Sequence, residues 1–200
     1  MRVFLLITFI FLTTMFFGQK ISERSRYEKR WAFFHPFTAL KVKRIYKSCR
    51  PIYDEVKRTN ALDQFENGGK LDAFRHVFFM AAFSQKIRVK KLRKLGIAHE
   101  KGNHLSFLKS IKEEGELADS LSSVMDLKNN ELGFQIGSQN KKIELSELKT
   151  KVVDAIKKGE AVYFKRNSAG NYISCDDKEI NLAEYKGIWF IPKCLIPTNL

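Results

Sequence analysis

The stretch Asn67-Gly68-Gly69-Lys70-Leu71-Asp72-Ala73-Phe74-Arg75-His76-Val77-Phe78-Phe79-Met80-Ala81-Ala82-Phe83 decides how this chain is read. Asn-Gly-Gly is a strong turn signal, and the apolar run beyond it predicts a helix from about Leu71 to Ile87. Phe74, Val77, Phe78, Ala81 and Ala82 fall on one side of that helix, with Phe79, Met80 and Phe83 on the others. A helix apolar nearly all round is buried on most sides. Its opening turn is the exception, carrying Asp72, Arg75 and His76 into core surroundings, where polar groups must find partners.

Asp72 and His76 are four residues apart, so on a helix they share a face at about 6 Å. A carboxylate there holds an imidazole in one tautomer, or the two ligate a cation together. The competing reading is a satisfied hydrogen-bond pair that fixes helix packing. Partners are available further along. A helix from about Val89 to Lys101 carries Leu92, Leu95 and His99 on one stripe, with Glu100 next in the chain, and Gly96 allows another element to approach closely. A helix from about Glu116 to Ser138 places Asp126, Asn129, Asn130 and Gly133 at i, i+3, i+4 and i+7, again one stripe. Asn competes with the helix backbone, so two in succession ask for partners across an interface. Carboxylate and amide oxygens also suit a hard cation, although the spacing is not that of an EF-hand. Asp72, Arg75, His76, His99, Glu100, Asp126, Asn129 and Asn130 are therefore the candidate site residues. Their spacing specifies no particular metal or cofactor.

Outward from this centre, Ser22 to Leu40 is basic and aromatic, and Pro36 breaks helix there, leaving an aromatic segment expected to pack on the body. His35 reads as a packing or capping residue. Ala39 to Arg58 predicts helical stretches interrupted near Pro51, and Asn60 to Lys70 a loop. Ser106 to Glu114 predicts a short helix stopped near Gly115. Ser146 to Lys158 is an amphipathic helix closed by Gly159. Residues 161–165 and 172–175 flank Asn167-Ser168-Ala169-Gly170 and read as a hairpin with a four-residue loop, with a third short strand at 187–191. The fold class is mainly α: a helical domain around a buried central helix, with a small C-terminal β-hairpin. The organisation is a signal at 1–18, a basic aromatic segment at 19–66, the helical domain at 67–176 and an extension at 177–200.

Met1-Arg2 and the uncharged run Val3 to Phe17 have the length of a secretory apolar region and fall short of a spanning helix, which needs roughly 20 apolar residues. Export is the expectation, periplasmic or extracellular, with an uncleaved membrane anchor as the alternative because Phe16 departs from a small-x-small cleavage pattern. Without residues 1–18, 35 basic and 22 acidic residues remain, a net charge of +13. The basic residues gather between Lys20 and Arg58 and again from Lys86 to Lys94. Such surfaces attract anionic envelope components or lipid headgroups, or are solvated helix faces. No aromatic stacking platform interleaves the basic run, so nucleic acid is not the expected partner. Cys49, Cys175 and Cys194 are odd in number and lack a C-x-x-C pair, which excludes zinc knuckles and thioredoxin-type chemistry; one disulfide plus one buried thiol is the simplest arrangement.

The order His76, His99-Glu100, Asp126 resembles the metal-ligand order of helical His-Asp phosphohydrolases, with Glu100 in place of their Asp. Arg75-His76 resembles the R-H of secreted bacterial phospholipases A2, with Val77 at the position of their calcium-binding Asp. A fuller match covers Asn67 to Asp176. N-G-G-x-x-D-A-F-R-H, A-H-E, M-D-x-x-N-N-x-x-G and a helix ending K-K-G-E-A-V-Y-F, in that order, resemble an uncharacterised family of secreted bacterial proteins defined by a domain of unknown function. That resemblance implies a mainly helical domain and export, and no activity. The expected function is a metal-assisted hydrolase of phosphoester or lipid ester substrates, with Arg75 holding an anionic group. The alternative is a noncatalytic envelope protein in which the same residues form a structural network. Neither a serine nucleophile elbow nor an H-E-x-x-H sequence narrows the reaction.

Overall fold

A computed structural model describes residues 24–109 and 118–200; the apolar start and the segment around Gly115 lie outside the described residues. The fold is mainly α. Among the described residues, six helices, α1 (Arg26–Phe34), α2 (Pro36–Arg58), α3 (Lys70–Ser84), α4 (Val89–Leu108), α5 (Ser120–Gln139) and α6 (Leu145–Lys157), precede strands β1 (Val162–Phe164) and β2 (Leu195–Pro197).

Helix α3 is central, with Leu71, Phe74, Val77, Phe78 and Ala81 all fully buried. Its start is fixed from outside. The Asp63 carboxylate accepts from the backbone N–H groups of Lys70 and Leu71, occupying donors that a helix terminus leaves unpaired. Gly68, at φ +70°, turns the chain so that its N–H donates to Asp72 Oδ2 at 2.7 Å and its carbonyl accepts from Phe164.

Helix α5 lies directly against α3 because Gly133 and Gly137 have no side chain. A Cβ at Gly133 would stand 2.5 Å from the Val77 carbonyl oxygen, and one at Gly137 2.0 Å from that of Ala81. His76 meets Asp126 and Asn130 while Ala81 and Ser84 meet Gly137, so the two helices run in the same direction. The stripe Asp126, Asn130, Gly133, Gly137 is thus polar at one end and backbone-tight at the other. Helix α4 joins through Gly96, where a Cβ would lie 3.2 Å from Asn130 Nδ2, and through the Arg93–Glu131 pair outside, bonded twice at 2.6 Å.

Several expectations are corrected. Helix α2 runs through Pro51 without interruption. Pro51 is exposed, so the carbonyl it deprives of a partner faces water, and Arg50 ties the turns on either side together by bonding Tyr46 and Asp54. In the aromatic segment Trp31 is buried and its Nε1 donates to the Lys91 carbonyl; His35 stacks edge-on against it, while Phe33, Phe34 and Phe37 are exposed. Of the short helix expected from Ser106 to Glu114, residues 106–108 belong to the end of α4, and residues 110–114 lie outside the described residues.

The C-terminal antiparallel pair is present, but β1 takes β2 as its partner, Tyr163 opposite Ile196. The Asn167–Gly170 turn forms and leaves only a bridge between Arg166 and Tyr172. The reason is covalent: the Cys175–Cys194 disulfide draws the chain before β2 back to this edge, and Lys165 N–H donates to the Cys194 carbonyl. The segment around Trp189 forms no strand, because its carbonyl caps α5 by accepting from Ser120. Asp119 completes that cap and pairs at 2.8 Å with Lys193, both side chains 1% exposed. Cys49 is the buried free thiol, its pKa pushed up to about 12 by burial.

The disulfide closes a loop of 19 residues. Its reduction, or paired Cys175→Ser and Cys194→Ser substitution, is expected to destabilise the fold by about 3 kcal/mol. Urea unfolding of the oxidised and reduced protein checks this.

Candidate functional site

The first turns of α3 bring Asp72, Arg75 and His76 to the polar end of the α5 stripe. His76 Nε2 lies 3.2 Å from Asp126 Oδ1 and 3.5 Å from Asp72 Oδ1, yet its buried nitrogen makes a well-directed hydrogen bond to neither. One ligand atom from each of the three residues falls within 4.8 Å of the others. On the far side of the ring, His76 Nδ1 faces Asn130 Oδ1 at 3.2 Å. In the neutral ring this contact places the proton on Nδ1, which leaves the Nε2 lone pair facing the two carboxylates.

Two carboxylate oxygens and a nitrogen lone pair repel one another, and the Arg75 guanidinium beside Asp72 Oδ1 offsets part of that repulsion. Protonating Nε2 is opposed by burial, which lowers the His76 pKa from its ordinary value despite the raising influence of Asp72; Arg75 opposes it as well. Asp72 itself is anchored, taking the Gly68 N–H on Oδ2 and the Arg75 guanidinium on Oδ1 at 2.7 Å.

Glu100 approaches from α4, one turn beyond Gly96. Burial, and behind it the negative charge of Asp126, push its carboxyl up to about 7. Glu100 also lines a groove of about 410 Å³ with Tyr27, Ile97, Lys101, His104 and Leu127. Glu100 is the residue this groove shares with the centre, and the groove's size is in the range of small-molecule sites.

The other predicted residues stand elsewhere. His99, 100° around the helix from Glu100, turns away from the centre to the Glu28 carboxylate at 3.6 Å, with its side chain 39% exposed. Asn129 clamps β1, donating to the Val162 carbonyl and accepting from its N–H. Asp72, Arg75, His76, Asp126, Asn130 and Glu100 are brought together; His99 and Asn129 are not. Sequence reasoning missed Asp119, whose signal was an acidic residue directly ahead of α5, and Asp63, which caps α3 from seven residues before its start and carries no such signal.

Glu28 closes a capping box with Ser25. Burial raises its pKa, but the bond and charge of His99, with the Ser25 N–H and Arg24, outweigh burial and hold it at about 2. A depressed carboxyl stabilises the fold above its unfolded value near 4.5 and loses that contribution as pH falls through about 2. Because His99 and Arg24 are partly exposed and solvent screens their charge, Glu28→Gln is expected to remove about 2 kcal/mol at pH 6 and little at pH 2, measurable by urea unfolding at the two pH values.

A family model described as a domain of unknown function, DUF6973, matches residues 29–160, a span that holds every residue of this centre. No curated protein and no solved structure matches the chain.

Proposed function

The chain belongs to the DUF6973 family, a membership that assigns no chemistry, and on the geometry of its own residues we infer that it is a metal-assisted hydrolase of phosphoester or lipid ester substrates. The observation that carries this is the buried His76 Nε2, aimed between Asp72 Oδ1 and Asp126 Oδ1 without a well-directed hydrogen bond. One imidazole nitrogen and two carboxylates form a three-ligand set, the ligand number of catalytic rather than four-ligand structural sites.

A divalent ion held there supplies Lewis acidity and activates water. The chain's residues do the rest. Asn130 fixes the tautomer and ring plane of His76. Arg75, partly exposed and paired with Asp72, presents its guanidinium to an anionic ester oxygen. In the phosphoester case a water oxygen bonds to phosphorus, the ester P–O bond breaks, and the water proton leaves with the alcohol. The groove beside Glu100 receives the rest of the substrate.

Titration of the purified full chain with zinc and manganese, then hydrolysis of bis(p-nitrophenyl) phosphate and of phospholipid, tests this reading. One equivalent of bound ion and metal-dependent turnover are expected. Absence of binding at micromolar metal sinks it.

The second reading, a noncatalytic network, is favoured by one observation: Asp72 Oδ2 and His76 Nδ1 each already have a protein partner. In it the His76 ring is protonated at Nε2 and bridges the two carboxylates. Charge removal at Asp126 separates the two readings by sign.

A further inference from the structure

Phe33, Phe34 and Phe37 are 79%, 62% and 86% exposed. All three sit at the corner where α1 ends, His35 turns the chain and Pro36 opens α2. Leu40, one turn along α2, is also exposed. Single exposed apolar residues are ordinary, whereas a cluster of large ones rimmed by charge marks an interaction surface. The corner is held in place from behind, since Trp31 is buried there and bonded to the Lys91 carbonyl at 3.1 Å.

Charge surrounds the same corner. From Lys29 to Tyr53 the chain has seven Lys or Arg residues and no Asp or Glu. The second basic run, Lys86 to Lys94, is distant in sequence but pinned alongside. Lys91 Nζ donates to Thr38 Oγ1 at 3.2 Å, and Lys41 Nζ to the Lys86 carbonyl at 3.1 Å. Together with the Trp31 bond, these contacts bring both basic runs to the exposed phenylalanines.

We propose that this corner docks the protein on a bilayer containing anionic phospholipid, with Phe33, Phe34 and Phe37 entering the boundary between headgroups and acyl chains and the two basic runs facing the phosphates. Aromatic insertion supplies the apolar contribution and the basic rim the electrostatic one; stable membrane attachment needs two such signals. A nucleic acid fits less well, because the Phe33 and Phe34 rings meet edge to face at 86° and offer bases no parallel platform. A second copy would bring like-charged rims together. The surface is separate from the Asp72–His76–Asp126 centre and does not depend on the hydrolase reading. Nor does it require a spanning segment: among the described residues no helix is long and apolar enough to cross a membrane.

The test uses the full chain and vesicles of phosphatidylcholine with brominated acyl chains, with and without phosphatidylglycerol. The emission that Phe37→Trp adds to that of the native Trp31 and Trp189 should fall by at least half when phosphatidylglycerol is present, and the emission added by Lys178→Trp, exposed in the C-terminal region, should not. Triple substitution of Phe33, Phe34 and Phe37 by Ser should lower partitioning by about a hundredfold, with an unchanged circular dichroism spectrum because these side chains bury little. Salt should weaken binding of the unsubstituted chain. Equal quenching at both introduced tryptophans, no quenching, or partitioning that survives the triple substitution would each overturn the proposal. So would a dimer that the triple substitution dissociates in the absence of quenching, which would assign the corner to a second copy, or tighter binding to an oligonucleotide than to the anionic vesicles.

Discussion

Gly137→Val is expected to destabilise the protein by about 4 kcal/mol or more, placing it among the most damaging single changes available. A Cβ at this position would stand 2.0 Å from the Ala81 carbonyl oxygen and 2.7 Å from its carbon, both backbone atoms of α3. A side chain can rotate away from a clash, but a helix backbone cannot, so α5 must lift off α3. Lifting it opens voids beside the buried Val77 and Ala81 and breaks the contacts that Ser84 Oγ makes to the carbonyls of Gly133 and Phe134. Gly133→Ala, whose Cβ would meet the Val77 oxygen at 2.5 Å, is expected to be damaging through the same mechanism and to a smaller degree. Urea midpoints of the three proteins check the order. Because Asp126 and Asn130 lie on the same stripe as the two glycines, both variants should also bind metal more weakly, which a titration below the unfolding transition reads separately.

Asp126→Asn is expected to weaken divalent-metal binding by about a hundredfold or more, since a neutral amide oxygen replaces one of the two carboxylate ligands. Its effect on the metal-free protein carries the sharper information. Asp72 and Asp126 converge on an imidazole whose protonation burial opposes, with Glu100 nearby. Even with Arg75 paired to Asp72, the cluster carries excess negative charge when no divalent ion is bound, so neutralising Asp126 should raise the thermal midpoint of the metal-free protein. Metal at a thousand times its dissociation constant should then stabilise the unsubstituted protein by about 4 kcal/mol and the variant by about 1.4 kcal/mol or less. The structural-network reading demands the reverse: Asp126→Asn removes one arm of a bridge around a protonated ring and destabilises, and His76→Ala costs roughly 3 to 5 kcal/mol by leaving buried charge uncompensated. Calorimetry of the metal-free proteins decides by the sign of one shift.

The buried helix was legible because its signal is local. Asn67-Gly68-Gly69 announces a turn, and the all-round apolar run after it admits no exposed face. The Asp126, Asn130, Gly133 stripe was legible for the same reason, as residues of unusual type recurring at helical period. Where a reading went astray, a contact that propensity does not encode had intervened, within a single turn at Pro51 and across the fold at His99 and β1. Pro51 is a helix breaker by propensity, yet its turn faces water and is tied by Arg50. His99 shares the stripe of Leu92 and Leu95, yet Glu28 of α1 holds it away from the centre. The strand at 162–164 has a ready neighbour across the Asn167–Gly170 turn, yet the disulfide to Cys194 presents β2 instead.

Periodicity and turn chemistry act over four residues or fewer, and so the chain by itself determined that it is mainly helical, that α3 is its core, and that acid, imidazole and amide groups stand on particular faces of α3 and α5. Which of those faces meet is set by packing. The absence of two side chains, at Gly133 and Gly137, lets α5 reach the backbone of α3. That contact carries Asp126 to His76 and leaves Asn129 to hold β1. Only the tertiary structure could decide this, because distances between helices depend on volumes excluded across the interface, and no stretch of one helix encodes the surface of the other.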